Sequence, residues 1–435
     1  MQPLAGCDTV KDAEHAVGLG GSGSSEPTME TRYLGEITAD DPAAVDLGRR
    51  VLLGGGNAAD TAASIALTLT VTQPGRAGLD GGGVCLVKPP GAGAVEELDF
   101  LPKPAQGGNV PVPGLVRGLA ALQARFGAMR WQQIVAPVEA LATTGMTVTP
   151  SLLSDLQTAG LGTAGPGGRE LQVGDVVPQR AVATTLGELR VGGPNEFYTG
   201  NQGSELVSAG VPPQGLASYA PVWRSPASLS AGGVRLYYPQ GPGGAAVQAA
   251  WAEAQNAGDP AGSFAASRAA AYQGGGAGLD QPLGSTAFLV ADGSGRAVSC
   301  AIGMGKPFGA GQTLEPLGIF AAMPFEPAAE ASLVPMLAVN DRGDQLIGGF
   351  AGAGSFAAPA DTASVAAEVL RRNRSVAEAV ADPRTQSESV GTLVSDRIAA
   401  LSCPGGLPEH PGSCAIQNDP RGGGYAMRVD QLVRR

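Results

Sequence analysis

The chain has 435 residues, of which 15% are charged, and a net charge of −11 without any basic run. That balance argues against nucleic acid or an anionic membrane surface as a partner. No apolar stretch reaches the roughly 18 residues that span a bilayer, while the length supports a sizeable core. Residues 1–34 read as a tail without core periodicity. Residues 40–72 show apolar positions at three- and four-residue spacing, which predicts two helices separated by Gly54-Gly55-Gly56. Asn57 is the expected cap of the second helix and Pro74 marks its exit. Gly81-Gly82-Gly83 leads into VCLVK, a short buried strand. Residues 115–147 are helical in pattern. Region 155–280 is broken by Gly and Pro, with helical stretches near 180–190 and 244–255. TAFLVAD and AVSCAIG form a strand pair joined by the turn GSGR, and MLAVN and DQLIGGF a second pair joined by Asp341-Arg342-Gly343. A helix follows over 359–371. Helices mixed with hairpin-linked strands predict an α+β fold of antiparallel sheets covered by helices.

The five cysteines form no CxxC pair, so neither a zinc nor a thioredoxin-type motif is present. Cys403 and Cys414 flank a Gly/Pro-rich loop and are expected to form a disulfide in an oxidising compartment. Cys85 and Cys300 lie in apolar runs and read as small buried hydrophobes. Leu4-Ala5-Gly6-Cys7 resembles the lipobox of bacterial lipoproteins and is followed by the Gly/Ser-rich tether VGLGGSGSSEPTM. These signals point to the periplasm or cell envelope, with a lipid anchor at Cys7; the cytoplasm is the alternative. The lipobox is a four-residue match, and only six residues precede Cys7, without a charged or apolar leader region.

The chain has two histidines, His15 in the tail and His410 in a C-terminal loop. Neither suits the base of a Ser-His-Asp triad, which must be held rigidly. Clustered His metal ligands are excluded, and no motif calls for a metal or a cofactor. A hydrolase built from this chain needs another base. One solution is a Ser, Thr or Cys whose own α-amino group, freed by cleavage of the preceding peptide bond, accepts the proton. Its unperturbed pKa of about 7.7–8.0 suits that role.

GGGNAADTAASIALTLTVTQPGRAGLDGGGVCLV, residues 54–87, resembles the N-terminal signature of the gamma-glutamyltransferase (gamma-glutamyltranspeptidase) family. Val112-Pro113-Gly114 and RFGAMRWQQIVAPVEALATTGMTVTP resemble its next blocks. FYTG (197–200), PQGPGG (239–244), FGAG (308–311), Asp382-Pro383-Arg384 and Asp419-Pro420-Arg421 follow in the family's order. The resemblance implies the four-layer αββα sandwich of N-terminal-nucleophile (Ntn) hydrolases. It also implies a large-subunit-like part, 35–284, and a small-subunit-like part, 285–435, of one domain behind the tail. Family precursors cut themselves before a Thr that opens a strand. Ser285 corresponds to that position, Gly284 precedes it, and Thr286 is the alternative one residue on.

The same resemblance implies oxyanion donors at Gly352 and Ala353. Ser332 corresponds to one of the family's substrate-binding Ser pair. The pocket departs from the family elsewhere. Leu101 stands where the family has the Arg that grips the substrate carboxylate. Gly305 stands for an Asn, Gly303 for a supporting Thr, and Met323-Pro324 for the paired Asp that hold the substrate amino group. The segment from Phe325 to Ser332 is too short for the family's lid loop. Two functions follow from the resemblance. One is a self-cleaving enzyme acting on a small-molecule amide or peptide, with the two fragments of the chain as partners. The other is a non-catalytic relative that keeps the fold for binding or as a scaffold.

Overall fold

A computed structural model describes residues 29–104, 110–165, 168–271, 281–384 and 397–434. The anchor expectation at Cys7 and most of the predicted tail lie outside them. The chain divides into a body, Tyr33–Val429, and a small unit of Met1–Arg32 with Asp430–Arg435. In the small unit Met29–Arg32 and Asp430–Arg434 are extended.

The strands of the two large sheets are, in chain order, β1 Met29–Ala39, β2 Gly82–Lys88, β3 Glu96–Asp99, β4 Val222–Arg224, β5 Ala227–Ser230, β6 Val234–Tyr238 and β7 Ser285–Asp292. They continue with β8 Ala297–Gly303, β9 Val334–Asn340, β10 Leu346–Ala353, β11 Arg397–Leu407, β12 Ala415–Asn418 and β13 Tyr425–Arg434. One sheet runs β13-β1-β7-β8-β2-β3-β4 and the other β12-β11-β10-β9-β6-β5. From β1 to β4 in the first sheet, and throughout the second, neighbouring strands pair antiparallel.

Side-chain alternation along the strands builds the layers. Phe288, Val290, Cys300 and Ile302 of the first sheet pack with the helix Ala58–Thr72 in one apolar cluster. Ala287, Leu289 and Ala291, on the opposite face, join Leu337, Val339, Ala351 and Leu401 of the second sheet. Met336, Phe350 and Ala400 turn the other way, toward the helices Gly243–Ala254, Pro260–Ala271 and Ala358–Arg372. Three apolar seams between helix, sheet, sheet and helix make the four-layer αββα sandwich that the resemblance implied.

Most predicted elements are present. Asn57 caps its helix in a reciprocal box with Asp60. Residues 115–147 form two helices, Leu115–Phe126 and Trp131–Thr144, separated at Gly127. Strand β1 begins inside the predicted tail, because its first residues are exposed and only its far end is buried. Cys403 and Cys414 are joined as expected; closing so short a loop is worth about 2–3 kcal/mol by chain entropy. Cys85 and Cys300 require a correction, since they are also joined, 4.1 Å apart at Cα. They sit directly opposite each other on β2 and β8. That pairing is non-local, so the apolar run around each cysteine carries no sign of it.

Candidate active site

Ser285 opens β7 on its inner face, the one turned toward the second sheet. Directly across the ladder is Gly303, where a Cβ would lie 3.0 Å from the Ser285 Cβ. The Ser285 Oγ accepts a hydrogen bond from the Gly354 N–H at 2.8 Å. The Leu283 N–H donates to the Gly354 carbonyl at 2.8 Å, and Pro282 bridges Ser355. The peptide before Ser285 is thus clamped along the chain just beyond β10. Gly284 has φ +58°, and a Cβ there would come within 2.1 Å of the Lys306 carbonyl oxygen. Only glycine fits that backbone. The Gly284 carbonyl accepts the Met304 N–H at 2.9 Å, so a main-chain donor already polarises the carbonyl that Ser285 would attack.

Thr286 points to the opposite face. It is fully buried, and its Oγ1 donates to Asp40 Oδ2 at 2.7 Å. Burial pushes the Asp40 carboxyl above its usual range, against the pull of Arg397, Arg76 and the Thr286 hydroxyl. Burial, helped by Arg76, lowers Arg397 to about 10 against the opposing pull of Asp40. Arg76 forks onto Asp155, with Nε 2.6 Å from Oδ2 and Nη2 2.7 Å from Oδ1. Arg76, Asp155 and Arg397 line a polar cavity of about 60 Å³ together with Ser285, Gly284 and Gly354. Sequence reasoning missed all three charged residues. The available signal was an arginine inside the Gly-rich run PGRAGLDGGG of a chain poor in charge.

Asp80, in the same run, is 2% exposed. Its Oδ2 accepts the Ala322 N–H at 2.7 Å and its Oδ1 has no partner. Burial raises this carboxyl to about 7, the single hydrogen bond opposing. Among the described residues no group of His, Cys, Asp and Glu could hold a metal ion.

The gamma-glutamyltranspeptidase family model matches residues 44–254, ending before Ser285. A glutathione hydrolase proenzyme of Pseudomonas aeruginosa is 28% identical over 249 residues, 49% of this chain and 44% of that protein. One from Bacillus subtilis is 30% identical over 197 residues, 38% of this chain and 34% of that protein. Over residues 44–254 the chain is thus similar to the gamma-glutamyltranspeptidase family, at the low identity of a divergent relative. It spans less than half the length of these curated relatives. Cephalosporin acylase from Bacillus halodurans superposes with a TM-score of 0.72 at 19% identity, over 93% of this chain and 97% of that one. The fold is therefore that of Ntn hydrolases.

The positions carried over from the gamma-glutamyltranspeptidase family fall in different places. Gly352 and Ala353 lie within β10, and Gly352 turns toward the covering helix, where a Cβ would meet Thr362 Oγ1 at 1.8 Å. The N–H that reaches Ser285 belongs to Gly354, one residue past that pair. Leu101 is buried in the apolar cluster between the sheets. Phe325 packs against the same cluster, and its Cζ would lie 3.3 Å from a Cβ on Gly303, beside Ser285. Gly305 has φ +82° and abuts Met323, so a side chain is unwelcome there. Ser332 is buried, and its Oγ donates to the Ala329 carbonyl at 2.7 Å, a local bond closing the helix Pro327–Ala331. Asp382-Pro383-Arg384 and Asp419-Pro420-Arg421 converge, with Arg384 Nη1 2.6 Å from Asp419 Oδ2. These two late segments therefore meet in a buried ion pair.

Proposed function

We propose that this chain is an Ntn hydrolase that cuts itself between Gly284 and Ser285 and then transfers or hydrolyses an acyl group. The carrying observation is the Ser285 Oγ, held 2.8 Å from the Gly354 N–H beside a Gly284 carbonyl bound by the Met304 N–H. In the first step Oγ adds to the Gly284 carbonyl carbon, the C–N bond breaks, and the hydroxyl proton passes to the departing nitrogen. Water then cleaves the resulting ester. Ser285 is left with a free amine, which takes the Oγ proton when a substrate amide is attacked and returns it to the leaving amine. The Gly354 N–H is suited to steady the oxyanion. Intact mass of the purified protein tests the first step. Two fragments, up to residue 284 and from 285, are expected; a chain that stays whole after long incubation favours the non-catalytic relative.

The acyl group need not be γ-glutamyl. That group brings a carboxylate and an ammonium, each of whose charged hydrogen bonds is worth about 1.5–3 kcal/mol. Leu101 offers the carboxylate an apolar wall, and Met323-Pro324 offer the ammonium no counter-charge. We expect γ-glutamyl-p-nitroanilide to be hydrolysed weakly or not at all by the self-processed protein, with little recovery in Leu101→Arg alone. Brisk wild-type turnover would show that other residues hold both charges. Two disulfides suit an oxidising compartment, which supports the periplasm or envelope as the place of action.

A further inference from the structure

The amine that cleavage would free at Ser285 faces one particular side of β7. The Gly284 carbonyl is turned to β8, where it accepts the Met304 N–H at 2.9 Å. Across a trans peptide the N–H points the opposite way, so the Ser285 nitrogen is directed to the flank occupied by β1. There the pairing ends with Thr38 opposite Leu289, and β1 itself ends at Ala39. Carrying the register on places Asp40 beside Ala287, next to the start of β7. Thr286, the residue after the nucleophile, fixes the Asp40 carboxyl by donating its Oγ1 proton to Oδ2 at 2.7 Å. Oδ1 is buried and takes no hydrogen bond; the neighbouring Asn418 amide donates to Thr38 Oγ1 at 2.9 Å. Arg397 Nε, on β11, approaches Oδ2 only to 3.9 Å. The other charges near this point are engaged. Asp41 caps its own helix through the N–H groups of Ala43 and Ala44. Arg76, on the turn after the helix Ala58–Thr72, is forked onto Asp155 of the helix Pro150–Thr158. Asp419 is held by Arg384 and Arg421. From the side of β8, Gly303 and Gly305 bring no side chain.

We infer that Asp40 is the positioning residue for the base, holding the α-ammonium of Ser285 that forms once the chain is cut. The inference rests on the reading of Ser285 as nucleophile and goes beyond it by assigning the partner of the amine. Attack by Oγ on the acyl carbon sends the hydroxyl proton to the amine, and a positive charge appears at a buried residue. A carboxylate beside it steadies that charge until the proton passes to the leaving nitrogen, as the acid of a Ser-His-Asp triad does for imidazolium. It also orients the base toward the nucleophile. The gain is mutual. Asp40 is a buried carboxyl with one short hydrogen bond, and an ammonium at Oδ1 gives it the second partner that a buried charge requires.

The test titrates the amine in the self-processed protein through the Ser285 13Cα chemical shift, assigned as the serine signal that Ser285→Ala lacks. It needs neither a substrate nor turnover. Asp40→Asn keeps an oxygen for the Thr286 hydroxyl and removes the charge. An opposite charge within about 4–6 Å favours the charged form of a group, so the midpoint of the amine should fall by at least about one pH unit in the variant. Asp40→Ser, smaller and equally neutral, takes its place where Asp40→Asn does not fold. Both variants should still cut themselves, as intact mass will show, because the proton for that step comes from Oγ. Equal midpoints in the wild type and the neutral variant overturn the pairing and leave Ser285 as the nucleophile. A folded neutral variant that stays whole also overturns it, since Asp40 would then act on the cut itself. A wild-type chain that never cuts overturns the nucleophile reading, and the assignment of Asp40 with it.

Discussion

Ser285→Ala should give a folded chain of full mass that neither cuts itself nor turns over any acyl donor. Removing the nucleophile of a comparable acyl-transfer site costs on the order of 10⁶ in rate, and here the same atom is also needed to liberate the base. The fold should survive. Only one oxygen is lost from the inner face of β7, and the orphaned Gly354 N–H costs about 1–3 kcal/mol. The neighbouring Thr286→Ala separates the two registers. Its hydroxyl is bound to Asp40 on the other face of the strand, so the variant should still cut at residue 285 while losing stability from a buried carboxyl stripped of its donor. Processing that survives Ser285→Ala and stops in Thr286→Ala would move the nucleophile one residue along.

In the uncut background, Asp80→Asn should raise stability at pH 8 by up to about 4 kcal/mol and change it little at pH 4. The size follows from a carboxyl raised from 3.8 to about 7 by burial, at about 1.4 kcal/mol for each pKa unit. The sign follows from linkage. Below pH 4 Asp80 is protonated both folded and unfolded, and no penalty arises. Between pH 4 and 7 the unfolded chain ionises while the folded one still holds the proton, so stability falls as pH rises. Above pH 7 the folded protein carries the buried charge and the loss is complete. Asparagine keeps an oxygen for the Ala322 N–H and never ionises. Denaturant midpoints from pH 4 to 8 should therefore converge at the acid end and separate at the alkaline end; parallel curves would show that Asp80 is solvated in solution.

Legibility followed sequence separation. TAFLVAD and AVSCAIG could be placed almost to the residue because each is a continuous apolar run, and the turn between them is set by Gly295, whose N–H returns to Asp292. The cap at Asn57 was legible because both its partners lie within three residues. Strands β6 and β11 were not anticipated; β11 contains the stretch SCPGG, which reads as loop until β10 and β12 pair on either side. Family resemblance singled out Ser285 as the residue of the proposed site, but not the charged side chains that line the cavity beside it. Arg76 and Asp155 are 79 residues apart, and nothing near either one announces the other. The N–H that reaches the Ser285 Oγ lies one residue past the expected Gly352-Ala353 pair, since a pattern of glycines does not reveal where a strand ends.

Cys85 lies before the proposed cut and Cys300 after it, so their bond crosses the junction. Cleavage at Gly284–Ser285 would then produce two polypeptides but still one covalent molecule. Such a protein migrates as a single species on a gel without reductant and as two with it. Its unfolding and refolding remain unimolecular, independent of protein concentration, because neither piece can diffuse away from the other. Reduction removes that guarantee: the midpoint of unfolding would then shift with dilution, as for any heterodimer, and a clipped enzyme that refolds at nanomolar concentration under oxidising conditions would be lost under reducing ones.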